Sequence, residues 1–240
     1  MEKNRETSQK TASKKSSKAL VSFGKGQKDT KYKLIIAGIN LFGEYGYKGT
    51  STRMLTNYAK VNLASIPYYF GSKEQLYKAV IEYIVDRIVD NTGSVRDELK
   101  YILNQPQPDL LKAKQLFKSI IEKIVAMFVE TDDTKSWLQI MLREQSNPSP
   151  AFEIVYSRQI KPMQELITTM IGLCTQINPE SDEAKVRCQA FIGQILGFFV
   201  ARSSFMRQMG TKKLNESQIE IIHKVILAHT EACLNIKQLI

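Results

Sequence analysis

The sequence predicts an all-α fold of about nine helices, and three observations carry that prediction. From Lys31 onward, apolar residues recur at spacings of three and four, the period of a helix that buries one face. No window bounded by Gly or Pro alternates apolar and polar residues as a half-buried strand would. Glycines and Ser-Asn-Pro clusters cut the periodic sequence into segments of ordinary helix length. With 240 residues, 43% of them hydrophobic and 24% charged, the chain can bury a substantial core.

Taken in order, residues 1–29 are Lys, Ser, Thr, Gln and Gly with few large apolar groups, so they are expected to lack stable structure. Ile35, Ile39 and Phe42 then mark a helix that Gly46 stops. Thr50-Ser51 offers an N-cap for a short helix to about Ala59, and Asn62 caps a second one that closes near Phe70-Gly71. Ser72, with Gln75 completing a capping box, opens a long helix through Leu76, Val80, Ile84 and Ile88. Pro108 suits the first turn of a helix over 110–130, and a shorter one follows over 133–145. After Ser146-Asn147-Pro148-Ser149-Pro150 comes a helix over 151–176, which should bend at Pro162 because proline lacks an N–H and crowds the preceding turn. Helices over about 180–209, ended by Gly210, and 215–237 complete the set.

Composition excludes several classes. The apolar run at 190–201 is interrupted by Gln194 and flanked by Arg187 and Arg202, whereas a membrane span needs roughly 18 or more apolar residues. The basic N-terminus is followed by no apolar segment of a secretory signal. Cys174, Cys188 and Cys233 form no CxxC and read as reduced core thiols, which suits a cytoplasmic protein without a metal site. His223 and His229 stand six apart, nearly opposite on a helix, and no phosphate loop, HExxH or nucleophile elbow occurs. No catalytic residues and no cofactor are therefore expected. The net charge of +10 is strongly asymmetric: residues 1–33 hold ten Lys/Arg against Glu2, Glu6 and Asp29. Either a polyanion partner lies at this end or the tail is a solvated bystander.

The most informative stretch is 34–77. Three helices follow in tight succession, the last two joined by Lys60-Val61, at the spacing of a helix-turn-helix. Around them stand Thr50, Ser51, Thr52, Arg53, Tyr68, Tyr69 and Lys73, the hydroxyls, phenols and cations that bind phosphate oxygens. Tyr45-Gly46-Tyr47, Thr50-Ser51-Thr52-Arg53, Ala59-Lys60-Val61 and Tyr68-Tyr69-Phe70 leading to Lys73-Glu74-Gln75-Leu76 together resemble the N-terminal domain of the TetR family of regulators. Ile66-Pro67-Tyr68-Tyr69-Phe70-Gly71, with Arg143-Glu144 and Pro148-Ser149-Pro150-Ala151-Phe152, is similar to the subgroup with a CecR-type C-terminal domain.

The resemblance implies a sequence-specific, ligand-responsive repressor that binds a double-stranded DNA operator as a homodimer. It divides the chain into a basic tail (1–29), a DNA-binding domain (30–76) and an effector-binding and dimerisation domain (77–240). Thr50, Ser51, Thr52 and Arg53 would open the helix that crosses the DNA backbone. Asn62, Leu63, Ala64, Ser65, Tyr68 and Tyr69 would lie on the recognition helix, and Lys73 would clamp phosphate with the tyrosines, although either tyrosine also suits a core position. Lys60 stands where glycine is frequent, which implies a left-handed backbone there at a cost of roughly 1 kcal/mol. Pro67 should remove one hydrogen bond from a recognition helix starting at Asn62.

In the C-terminal half, Trp137, Met141 and Glu144 share a helix face and, with Met127 and Arg202, are candidates for an effector pocket, or else ordinary core. Arg202 follows a largely apolar run, so it needs Glu144, an anionic ligand or solvent as partner. Gly193, Gly197, Ala201 and Ser204 form a smooth strip which, with Ile222 and Ile226, suits a four-helix dimer interface or close packing within the chain. Two other classes compete with a ligand-responsive repressor: an architectural or activating DNA-binding protein without an effector, and a helical adaptor that binds only protein.

Overall fold

The structure is a computed structural model that describes residues 25–129 and 135–235. The described residues form eleven α-helices, one π-helical turn and no strand. The helices are α1 (Lys25–Gly49), α2 (Thr52–Ala59), α3 (Ser65–Phe70), α4 (Lys73–Leu103), α5 (Leu110–Val129) and α6 (Lys135–Ser146), then α7 (Phe152–Val155). The π turn (Tyr156–Ile160) leads into α8 (Lys161–Thr175), followed by α9 (Asp182–Val200), α10 (Arg202–Gln208) and α11 (Glu216–Asn235). Residues 25–29 belong to α1, which corrects the expectation that they lack structure; residues 1–24 lie outside the described set.

Two sequence-predicted helices are each divided, which accounts for eleven rather than nine. The bend expected at Pro162 takes the form of the π turn just ahead of it, where a widened turn accommodates the proline ring and its missing N–H. The long penultimate helix breaks at Ala201 (φ −93°, ψ 20°), whose carbonyl accepts from the Ser204 hydroxyl at 2.9 Å. A serine side chain that competes for backbone carbonyls in this way favours a helix boundary.

There are two hydrophobic cores. The first gathers Leu34 and Phe42 of α1, Leu55 of α2, Ile66 of α3 and Val80 and Ile84 of α4, and is closed by Ile140 of α6 and Val155 of α7. The second joins α4, α5, α8, α9 and α11 through residues such as Leu99, Phe117, Ile167, Phe191 and Ile226. Each such side chain contributes roughly 1.5–3 kcal/mol on full burial. Helix α4 runs through both cores, and α6 lies against α1. That second contact is close: a Cβ at Gly43 would come within 2.8 Å of the Ser136 Cβ. No helix among the described residues is long and apolar enough to cross a membrane.

Candidate nucleic-acid interface and its link to the C-terminal domain

The N-terminal head is built by local signals and locked by a few inward-facing polar groups. Gly46 breaks α1 with φ 73° and ψ 172°, a backbone that residues with a Cβ rarely adopt. The chain then turns into α2, where the Ser51 hydroxyl accepts from the Met54 N–H at 3.2 Å as N-cap. Lys60 adopts the left-handed conformation (φ 55°, ψ 49°) that its turn position implied. The Asn62 side chain accepts from the Ala64 N–H at 2.9 Å and its carbonyl from the Ser65 N–H at 2.9 Å, so 62–64 is a turn and α3 starts at Ser65. Pro67 therefore sits in the first turn of α3, where the N–H it lacks has no helical partner. The lost hydrogen bond expected for a helix from Asn62 does not arise. Ser72 caps α4 by accepting from the Gln75 N–H at 3.1 Å.

Two candidate phosphate ligands are hydrogen-bonded within the chain. Thr50 is 1% exposed, and its hydroxyl donates to the carbonyls of Leu41 at 3.0 Å and Gly46 at 2.8 Å, tying the end of α1 to the start of α2. The Lys73 ammonium donates to the carbonyls of Tyr47 and Thr50, both at 3.0 Å, and lies 4.3 Å from the Tyr47 ring centre. Carbonyls of the chain thus hold the Thr50 hydroxyl and two of the three Lys73 ammonium protons. The outward face carries Ser51, Arg53, Asn62, Leu63, Ala64 and Tyr68, with Thr52 and Ser65 partly exposed. Tyr68 is 72% exposed, whereas Tyr69 packs partly against the head core, so the two tyrosines divide the roles that sequence left open. Tyr58 on α2 is also exposed and was not among the candidates; no spacing signal marks it.

Helix α6 connects this head to the rest of the molecule. Arg143 donates from Nη1 to the Phe42 carbonyl at 2.8 Å and from Nη2 to the Glu44 carbonyl at 2.9 Å, gripping α1 just before its break. Next to it, Glu144 is buried, and its carboxylate accepts from the Tyr77 hydroxyl at 2.6 Å and from the Ser149 N–H and hydroxyl at 3.1 and 2.9 Å. Burial first, and the Glu144 carboxylate next, push the Tyr77 phenol well above its ordinary pKa, so it stays a protonated donor. Arg143-Glu144 was noticed in sequence as part of a family resemblance; the clasp itself was not foreseen.

The other face of α6 borders a cavity of about 250 Å³ between α4, α5, α6, the π turn, α8 and α9. Its walls are apolar side chains, among them Met141, Met163 and Phe191, interrupted by four amides, Gln145, Gln159, Gln164 and Gln189; among the described residues no charged side chain lines it. Of the sequence candidates whose side chains are described, only Met141 lines this space. Trp137 packs with the head core, Glu144 is turned to Tyr77 and Ser149, and Arg202 is absent from the lining; the Met127 side chain lies outside the described residues. The single face read from 137, 141 and 144 is divided because α6 lies between the head core and the cavity.

On the molecule's far side, Gly193, Gly197, Ala201 and Ser204 are all exposed, and a Cβ on either glycine would meet nothing within 4 Å. Close packing within the chain does not explain the strip. Ile222 and Ile226, predicted to share its interface, are 4% and 1% exposed in the second core, and the outward residues of α11 are Ile221 and Val225. One residue turns a helix by about 100°, so the apolar register was misread by one position.

A short helix capped by Ser51, a left-handed turn at Lys60 and a second short helix with an outward face make a helix-turn-helix, the arrangement with which such proteins read DNA. Residues 34–80 match the family described as bacterial regulatory proteins, tetR family, and residues 113–235 match the C-terminal domain of the HTH-type transcriptional dual regulator CecR. CecR of Shigella flexneri is 30% identical over 204 residues, spanning 85% of this chain and 91% of that protein. The chain belongs to the TetR family of transcriptional regulators, with a C-terminal domain of the CecR type. Solved structures share the fold. AibR in complex with isovaleryl coenzyme A and operator DNA has a TM-score of 0.60 at 14% identity, over 83% of this chain and 97% of that one. A transcriptional regulator from Rhodococcus sp. Rha1 has a TM-score of 0.56 at 13% identity, over 87% and 99%.

Proposed function

We propose that this chain is a homodimeric, ligand-responsive repressor of the cytoplasm, which acts by binding and not by catalysis. In this reading, residues 1–29 are a basic tail, 30–76 the DNA-binding domain and 77–240 the effector and dimerisation domain. One observation carries the sensing role: α6 lines the cavity with Met141, Leu142 and Gln145, and holds the head with Arg143 and Glu144. A molecule that fits the cavity only after α6 shifts must also move α1 and Tyr77. Because the lining is neutral, the effector is an uncharged, mainly apolar molecule that the glutamine amides orient. AibR, a structure of the same fold, was solved with isovaleryl coenzyme A and operator DNA, so this fold can hold a small ligand and DNA. The relative CecR is described as a dual regulator, so the sign of regulation can differ between operators.

The strip of Gly193 and Gly197 on α9, Ala201 at the break and Ser204 on α10, with Ile221 and Val225 of α11, is the surface for the second protomer. Small residues with nothing above them let another helix approach closely, and a two-fold pair places two heads on related half-sites.

The test fills the cavity. Ile192→Trp puts an indole into the space the effector would take, and the folded variant should bind operator at least tenfold more weakly. A ligand shifts an equilibrium only through differential affinity for its two states, so a panel of neutral apolar compounds should release wild-type protein from operator and leave the variant unaffected. A folded Ile192→Trp with wild-type affinity, together with a panel that never releases operator, would favour an architectural or activating protein without an effector.

A further inference from the structure

We propose that the turn and helix spanning residues 62–68 recognise operator sequence through thymine methyl groups, with Leu63 and Pro67 as the reading residues. This rests on the assignment of α2 and α3 as the DNA-reading unit. From position 61 to position 69 the chain has no Lys, Arg, Asp or Glu. Leu63 is 46% exposed, and Ala64, Pro67 and Tyr68 are exposed beside it. Leu63 and Ala64 lie in the turn and Pro67 and Tyr68 on α3, all exposed, while Ile66, at 1% exposure, and Phe70 pack on the head core. The outward apolar face therefore contributes nothing to the core and has another role.

The major groove offers few matches for such a face. Guanine, cytosine and adenine present polar atoms there, whereas thymine adds a C5 methyl, the one apolar feature of any base edge. Leucine and proline side chains have no donor or acceptor, so against polar edges they would strip water without replacing its hydrogen bonds. Against a methyl they gain by burial. The cations that pair with guanine come from elsewhere: Arg53 is exposed in the first turn of α2, while Lys73 is held by the carbonyls of Tyr47 and Thr50. The Asn62 side-chain Oδ1 accepts from the Ala64 N–H, which leaves the side-chain NH₂ group as a donor toward a base acceptor such as thymine O4.

The test starts with selection of an operator from random duplexes by the full-length protein. Each thymine is then replaced in turn by deoxyuridine, which removes only the C5 methyl. The expected result is a loss of about fourfold for each contacted methyl, at one or more thymines in each half-site. Leu63→Ala and Pro67→Ala should each weaken binding and abolish the deoxyuridine effect at one thymine, the coupling a double-mutant cycle detects. Arg53→Ala should weaken binding and retain both effects. A specific operator with a flat deoxyuridine scan would overturn the methyl readout and leave the DNA-reading assignment intact. A selection that enriches no sequence would overturn that assignment, and this inference with it.

Discussion

Thr50 stands in a stretch of small and polar residues in the head and Gly197 in the apolar run of α9, and the structure turns them in opposite directions: the polar group inward and the glycine outward. The Thr50 hydroxyl, suited to a phosphate oxygen, is spent on the carbonyls of Leu41 and Gly46, and the Lys73 ammonium on those of Tyr47 and Thr50. Gly197 looks like a packing residue, yet it has open space where its side chain would be. In the head, polar groups maintain geometry so that apolar and aromatic residues can face outward. On α9, the absence of side chains is itself the outward feature. Residue type indicates what a side chain can do, and its neighbours decide whether that capacity is spent inside the chain.

The comparison can be broken most severely at Gly197. Gly197→Leu should leave the protomer helical, because nothing in the chain meets the new side chain, but it inserts two leucines per dimer into a close-packed seam. Overpacking costs roughly 1–3 kcal/mol at each position, so we expect monomers by light scattering and no operator binding. A stable dimer with normal affinity would place the interface elsewhere. Smaller but still large is the effect of Lys73→Met, which keeps the aliphatic stem and removes a charged donor from two carbonyls; urea unfolding should show a loss of about 1.5–3 kcal/mol. Arg53→Ala and Tyr68→Ala should each cost roughly 1–3 kcal/mol of operator affinity in a filter-binding titration. Thr50→Val is the mildest change and should lower stability by about 0.5–1.5 kcal/mol for its internal hydrogen bonding, with operator affinity unchanged.

What the sequence shows most clearly is whatever the backbone decides locally. Ser51 and Ser72 cap the helices they were expected to cap, Gly46 breaks α1, and Lys60 takes the left-handed turn, because each outcome depends on residues within one helical turn. The fate of Thr50 and Lys73 depends on carbonyls that become available only when α1 ends near α4, and spacing does not show this. The choice between Ile221 and Ile222 is a single register step in a helix apolar on more than one side. The cavity was the least legible feature. Its amides, Gln145, Gln159, Gln164 and Gln189, come from four elements, and each alone resembles an ordinary surface residue. Glu144 reads in sequence as a pocket residue, the rim of a core or a partner for Arg202, whereas its hydrogen-bond partner is Tyr77, 67 residues away in sequence.

The contrast between inward and outward groups in the head is tested most directly by measuring unfolding stability and operator affinity together on Lys73→Met and Arg53→Ala. The account predicts a crossed pattern. Lys73→Met loses stability, and its folded fraction binds operator as wild type does; Arg53→Ala keeps its stability and loses affinity. The reverse pattern, with Lys73→Met stable but weakly bound and Arg53→Ala unstable but tightly bound, would contradict it.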